Sequence, residues 1–259
     1  MQLDNDPNSL LLALPVSSYL DGAGKKRERR AGHLYYVRSM ARQRFLCRLL
    51  IWGAMFCVAT TVFAAAAQVE RIGALSAPVA SDALKQAVET KGYRITLDGG
   101  WTAEFWLAKQ LKTAAKDVPG ALYAELANGE FVGVVNLPKG MTDFRGQAIP
   151  AGVYSLRYQL LPQDGNHLGV APNPDFLLAI PVASDPNPEQ GYLYKKLVAL
   201  SAKTTGTNHP AVIALDTAGE PGSVVGDAKG VVVFTVTVPS SGASPTEKLG
   251  IVVQGTAAQ

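Results

Sequence analysis

Residues 146–161, GQAIPAGVYSLRYQLL, constrain the fold most tightly, because a turn leads there into an alternating segment. Pro150 fixes φ and Gly152 accepts positive φ, and this combination is typical of a turn. After the turn, large apolar or aromatic side chains alternate with a second set. The first set is Tyr154, Leu156, Tyr158 and Leu160, and the second is Val153, Ser155, Arg157 and Gln159. A period of two with aromatic residues predicts a β-strand with one buried face.

Residues 40–67 have the three parts of a secretory signal peptide. A basic segment ending at Arg48 precedes the uncharged apolar run of residues 49–63, and alanines follow up to Ala67. We expect cleavage near Ala67 and a periplasmic or secreted location in a bacterium, so the chain meets the membrane only through this segment. The alternative is an uncleaved anchor, since the run approaches the roughly 20 residues that span a bilayer.

Residues 1–39 precede this signal, although signal peptides normally stand at the N-terminus. We interpret them as an upstream extension from a start codon assigned too early, because Met40 would begin an ordinary signal sequence. A basic patch at residues 25–30 could bind nucleic acid. However, residues 1–67 carry nine Lys/Arg and four Asp/Glu, so the total charge of +3 leaves −2 on residues 68–259. Basicity therefore gives no reason to expect a nucleic-acid partner.

Residues 68–259 are long enough for a single domain with its own core. Both cysteines, Cys47 and Cys57, lie in the leader. The domain therefore cannot use a disulfide, a Cys-ligated zinc site, an iron–sulfur cluster or a catalytic thiol. We expect no cofactor.

Turn signals and periodicity predict about nine strands in this domain. Asp98-Gly99-Gly100 and Asn128-Gly129 each favour a hairpin, the second between residues 122–126 and 131–137. Residues 175–182 are apolar almost throughout, which indicates a strand covered on both faces.

Two short peripheral helices are expected around this β-structure. One covers residues 81–91, with Ser81 as its cap and Gly92 after its end, and the other covers residues 188–203 and ends near Gly206. The fold class that follows is mainly β, an antiparallel β-sandwich that is jelly-roll-like.

The candidate ligand-binding residues are few. His167 lies in a polar loop that leads to Asp175, and His209 stands between a helix and a strand. Their spacing matches no metal motif, so we expect no metal, although converging loops could still bring them together. Trp106 and Trp101 could form a ligand platform, but the alternation favours Trp101 in the core and Trp106 partly exposed.

Motifs for catalysis are absent from the sequence. It contains no Gly-x-Ser-x-Gly, no His-Glu-x-x-His and no Ser-x-x-Lys with its partners, and the glycines of residues 219–230 do not match a phosphate-binding loop. Glu104 and Glu125 could form a glycosidase-like pair, or they could lie on a solvated sheet face.

The segment 148–156, AIPAGVYSL, followed by Asp175-Phe176-Leu177-Leu178, resembles a family of exported bacterial β-proteins of unknown function that includes the DUF2911 domains. The resemblance covers residues 93–185 and implies a β-sandwich and an exported location. It implies no catalytic residues.

Two hypotheses for function come from these patterns. The first is an exported, non-catalytic binding or structural module associated with the cell envelope, whose partner is a small molecule, a glycan or an envelope protein. The alternative is a periplasmic hydrolase or metal-dependent enzyme that uses the loops of His167 and His209.

Overall fold

The computed structural model describes residues 67–114, 118–162 and 171–256. These residues form a mainly β fold with two helices, as the sequence predicts. The strands are β1 (Gln68–Ile72), β2 (Gly92–Leu97), β3 (Trp101–Leu107), β4 (Phe131–Leu137), β5 (Met141–Thr142), β6 (Ala148–Ile149), β7 (Gly152–Leu160), β8 (Asp175–Pro181), β9 (Ala211–Asp216), β10 (Val224–Gly226), β11 (Val232–Pro239) and β12 (Thr246–Gln254). The helices are α1 (Asp82–Ala87) and α2 (Tyr194–Thr205).

Ten of the strands form one antiparallel sheet, in the order β1-β2-β3-β4-β7-β8-β9-β12-β11-β10, that is nearly closed into a barrel. Strands β5 and β6 pair with each other in a separate hairpin. The curl of the sheet brings strands from its two ends together. The Phe234 ring of β11 lies 5.4 Å from the ring of Tyr93 in β2 and 5.5 Å from that of Phe105 in β3. The antiparallel β-class is therefore confirmed, and the sandwich arrangement stays a prediction.

Helix α2 covers the outer face of the sheet at β8 and β9. Its buried Leu197 and Leu200 belong to an apolar cluster with Phe176 and Leu178 of β8 and Val212 of β9. The opposite side of β8 faces the main core of the curled sheet. Strand β8 is thus buried on both faces, as predicted for residues 175–182.

The second face of β7 is also buried, which the alternation of residues 153–160 did not predict. Ser155, Arg157 and Gln159 are all less than 4% exposed. The cover over Arg157 is the segment that follows β8, since Asp185 binds both Ser155 and Arg157 there. Binary alternation marks the apolar face of this strand but does not reveal that a polar face is covered as well.

Both helices are shorter than predicted. Ser81 caps α1 by accepting a hydrogen bond from the Leu84 amide at 3.1 Å, but the helix ends at Ala87, where Val88 turns extended and pairs with Ala108. Helix α2 does not begin at residue 188. It begins at Tyr194, after an irregular segment in which the Asp185 carboxylate is bound to Arg157. Its end at Gly206, with φ of +66°, is as predicted.

Only the second strand of the hairpin predicted at Asn128-Gly129 forms. Residues 131–137 form β4, but residues 122–126 form turns with one isolated bridge between Leu126 and Thr113. The hairpin at Asp98-Gly99-Gly100 is confirmed by the pairing of β2 with β3.

The upstream extension and nearly all of the signal segment lie outside the described residues, so their predicted roles stay predictions. Within the described ranges, no helix has the length and apolar character needed to cross a membrane.

Candidate functional site

A cleft of about 710 Å³ opens at one end of the curled sheet. Antiparallel pairing places the starts of β3, β7 and β11 at this end, together with the ends of β4 and β12. The loops at these strand ends and the β5–β6 hairpin form the walls. The lining residues are Trp101, Lys139, Gly140, Met141, Thr142, Ala148, Ile149, Pro150, Lys229, Gly230, Val253, Gln254, Gly255 and Thr256.

Two side-chain hydrogen bonds fix the wall between β3 and β5. The Trp101 indole Nε1 donates to the Gly140 carbonyl at 2.7 Å, and Lys139 Nζ donates to the Gly100 carbonyl at 2.6 Å. Gly140 has φ of +69°, and a Cβ there would lie 2.5 Å from the Ile149 carbonyl oxygen. Glycine is therefore required at this turn, and the turn holds the indole against the rim of the cleft.

The cleft has a mixed polar and apolar lining that includes two lysines. Lys139 and Lys229 contribute ammonium groups from two different turns, and no Asp or Glu is among the lining residues that the structure describes. Trp101 and Met141 supply polarizable apolar surface, while Thr142 and Gln254 supply neutral polar groups. Such a cleft has the size and mixed lining of small-molecule sites.

The two tryptophans have the opposite placement to the one predicted. Trp106 is buried, at 6% exposure, and its Nε1 donates to the Gly73 carbonyl at 2.8 Å. Trp101 is half-buried and lines the cleft. The indole available to a ligand is therefore that of Trp101, and Trp106 has a packing role.

Asp175 is fully buried and acts on the backbone. Its Oδ1 accepts from the Leu122 amide at 3.2 Å and its Oδ2 from the Tyr123 amide at 2.7 Å, while the Tyr158 hydroxyl lies 3.5 Å from Oδ2. Burial raises the pKa of Asp175, and the two amide bonds oppose that rise. The carboxylate thus fixes the loop before β4.

The two histidines are not brought together among the described residues. His209 is exposed, and its backbone is bound to Thr205 and Thr207 within the turn after α2. His167 lies outside the described residues. Over the ranges that are described, no three His, Cys, Asp or Glu side chains are grouped as a metal site would require.

The acidic pair considered from the sequence has different partners in the structure. Glu104 accepts from Arg94 at 2.9 Å and from Asn136 at 2.8 Å on the outer face of the sheet. Glu125 instead interacts with Glu247 of β12. Partial burial, together with the hydrogen bond and the charge of Glu125, raises the pKa of Glu247 to about 7.

Sequence reasoning missed the two lysines of the cleft. Lys139 and Lys229 lie in loops far apart in the chain, and neither belongs to a motif. A local signal did exist in Lys139-Gly140, a turn between β4 and β5, but the strand order is needed to place the turn of Lys229 beside it.

Comparisons of the chain with models of protein families, with characterised proteins and with solved structures gave no match.

Proposed function

We propose that this protein is an exported, non-catalytic binding module and that the cleft around Trp101 is its ligand site. The observation that carries the proposal is the cleft itself, which has a volume of about 710 Å³, lies at the end of the antiparallel sheet and is lined by an indole bound to the Gly140 carbonyl. Loops on a rigid scaffold are where binding residues concentrate. The ligand class is a small molecule or a glycan.

The positions of the potentially reactive side chains favour a binding role over catalysis. The buried acids Asp143, Asp175 and Asp185 are bound by arginine side chains or by backbone amides. The described cleft lining holds threonine and lysine but no acid or histidine, and the neighbouring Asp143 carboxylate is already bound by Arg145 and the Gln147 amide. The enzyme that would use His167 and His209 is the second candidate, and no described contact supports it.

Export and the sandwich fold remain part of the proposal, as does the resemblance to the exported β-proteins. Cleavage after Ala67 would leave the sheet intact, because Gln68, the first residue of β1, pairs with Thr96. Sequencing the N-terminus of protein from the native host tests this directly. A start near Gln68 is expected, and an intact leader would contradict it.

The ligand site is tested by blocking the cleft chemically. In a Cys47→Ser/Cys57→Ser background, Thr142→Cys places one thiol on the exposed part of the lining, where a bulky maleimide can be attached. Ala199→Cys, exposed on α2, is the matched control. A thermal-shift screen with a library of small acids and oligosaccharides then identifies stabilising compounds.

We expect the stabilising compounds to lose their effect on the protein labelled at position 142 and to keep it on the protein labelled at position 199. Compounds that stabilise both labelled proteins equally would place binding elsewhere and would contradict the proposal.

A further inference from the structure

We infer that the cleft selects ligands that carry a negative charge next to a flat apolar ring. This inference rests on the proposed function and adds the chemical class of the ligand. Its basis is the contrast between the charge of the cleft and the charge of the domain around it.

The cleft lining differs in charge from the domain around it, although acids lie in two neighbouring turns: Asp98 between β2 and β3, and Asp227, whose carboxylate accepts from the Lys229 amide at 2.8 Å. Residues 68–259 carry a net charge of −2, yet none of their Asp or Glu side chains is among the described residues of the cleft lining. Lys139 and Lys229 both belong to that lining. A concave surface with one sign of charge concentrates ions of the opposite sign and favours their binding.

The position of Lys139 is set by the fold. Its Nζ donates to the Gly100 carbonyl at 2.6 Å, so the ammonium is held at the β2–β3 turn, next to Trp101. An ammonium has three donors, and this bond uses one, which leaves donors for an anionic oxygen. Lys229 contributes a second ammonium from the β10–β11 turn.

The apolar residues of the cleft are the part that would contact the flat ring of a ligand. Trp101, Met141, Ile149, Pro150 and Val253 all line the cleft. A half-buried indole beside apolar side chains favours stacking against a flat ring, either aromatic or the apolar face of a sugar. The ring and the anionic group would therefore sit on Trp101 and the two lysines respectively.

Two dyes that differ only in charge test this inference. Anilinonaphthalene sulfonate carries a sulfonate on its ring system, and N-phenylnaphthylamine has the same rings without it. Binding of each is measured by fluorescence for wild type, for Lys139→Ala/Lys229→Ala, and for Lys195→Ala/Lys196→Ala. The last variant makes the same charge change on the exposed face of α2.

We expect Lys139→Ala/Lys229→Ala to weaken sulfonate binding by about tenfold, in line with two exposed charge pairs, and to change binding of the neutral dye by less than about twofold. The α2 control should leave both dyes within about twofold of wild type. Raising the salt concentration should weaken only the sulfonate dye, because exposed charges are screened.

The possible outcomes separate the inference about ligand charge from the proposal that the cleft is the ligand site. No saturable sulfonate binding to wild type, or equal loss of both dyes in the cleft variant, overturns the charge inference while the cleft proposal stands on the library screen. Dye binding that survives the bulky label at position 142 overturns the proposed site itself.

Discussion

The guanidinium of Arg157 and the carboxylate of Asp185 form a buried two-bond ion pair, with both hydrogen bonds at 2.8 Å. Arg157 is 2% exposed and Asp185 is fully buried. The remaining guanidinium donors reach the carbonyls of Gly129, Asn187 and Pro188. All five N–H groups of the arginine are thus used, and β7 is tied to the segments before β4 and after β8.

Removing one partner of this pair should destabilise the fold strongly. Arg157→Met leaves the Asp185 carboxylate buried without its cation, and we expect a loss of about 3–5 kcal/mol in the free energy of unfolding. Urea unfolding followed by circular dichroism measures it. The double variant Arg157→Met/Asp185→Leu should recover part of the loss, because no charge is then left unpaired. A single variant as stable as wild type would show that the pair has no structural role.

Tyr158 is fully buried in the central strand, with its hydroxyl near Asp175. Tyr158→Asp would bury a second carboxylate beside the first, so we expect a loss of more than about 3 kcal/mol or failure to fold. Tyr158→Phe should cost less than about 1 kcal/mol, because the hydroxyl contact of 3.5 Å is long. Thermal and urea unfolding compare the two variants. Equal stability of Tyr158→Asp and wild type would mean that the register of β7 is wrong.

The Glu125–Glu247 pair makes stability depend on pH in a definite direction. The pKa of Glu247 is raised to about 7 in the folded state, from 4.5 as its ordinary value. The folded state therefore binds a proton more tightly than the unfolded chain, so the free energy of unfolding falls as pH rises from about 4.5 to about 7. Glu247→Gln should remove this decrease. Burial also raises the pKa of Asp175 and Glu130, so only the difference from wild type is diagnostic.

Urea unfolding at pH 5 and pH 8 provides that difference. Glu247→Gln should gain stability relative to wild type at pH 8 and much less at pH 5. Glu220→Gln, an exposed acid, is the matched control and should change neither. A Glu247→Gln variant with the same pH dependence as wild type would contradict the assignment.

The histidines should be dispensable for folding. His209 is exposed in a turn held by backbone bonds to threonine hydroxyls. We expect His167→Ala/His209→Ala to change stability by about 0.5 kcal/mol or less, as for surface substitutions. Elemental analysis of the purified protein should find no bound zinc, copper or iron. One metal per chain that disappears in the double variant would favour the enzyme hypothesis instead.

Much of the sheet could be predicted because its signals are local. Period-two alternation predicted β7, and apolar character on both faces predicted β8, which α2 covers on its outer side. Asp98-Gly99-Gly100 placed the first hairpin through its turn chemistry. The capping role of Ser81 could also be predicted, because a helix cap is a local signal. Helix propensity did not show that Val88 would leave the helix and pair with Ala108.

The predictions that were wrong concern features that depend on contacts between residues far apart in the chain. The second helix was predicted to begin at residue 188, but the segment before it is held irregular by Asp185, whose carboxylate is bound by Arg157, 28 residues earlier. The placement of Trp101 and Trp106 was wrong because alternation shows neither that the start of β3 borders a cleft nor that the segment at Gly73 covers Trp106. The cleft could not be predicted without the strand order, since Lys139 and Lys229 come to line the same cleft only when the sheet curls.

The central claim is that ligands bind in the cleft beside Trp101. The most direct measurement is a nitrogen–proton NMR titration with anilinonaphthalene sulfonate that follows the indole N–H signals of the chain's three tryptophans, assigned with Trp101→Phe and Trp106→Phe. The account predicts saturable shifts of the Trp101 indole and of backbone amides near Gly140, Gly230 and Gly255, with the buried Trp106 indole unchanged. Shifts that leave Trp101 unchanged and appear on α2 or around Trp106 would contradict it.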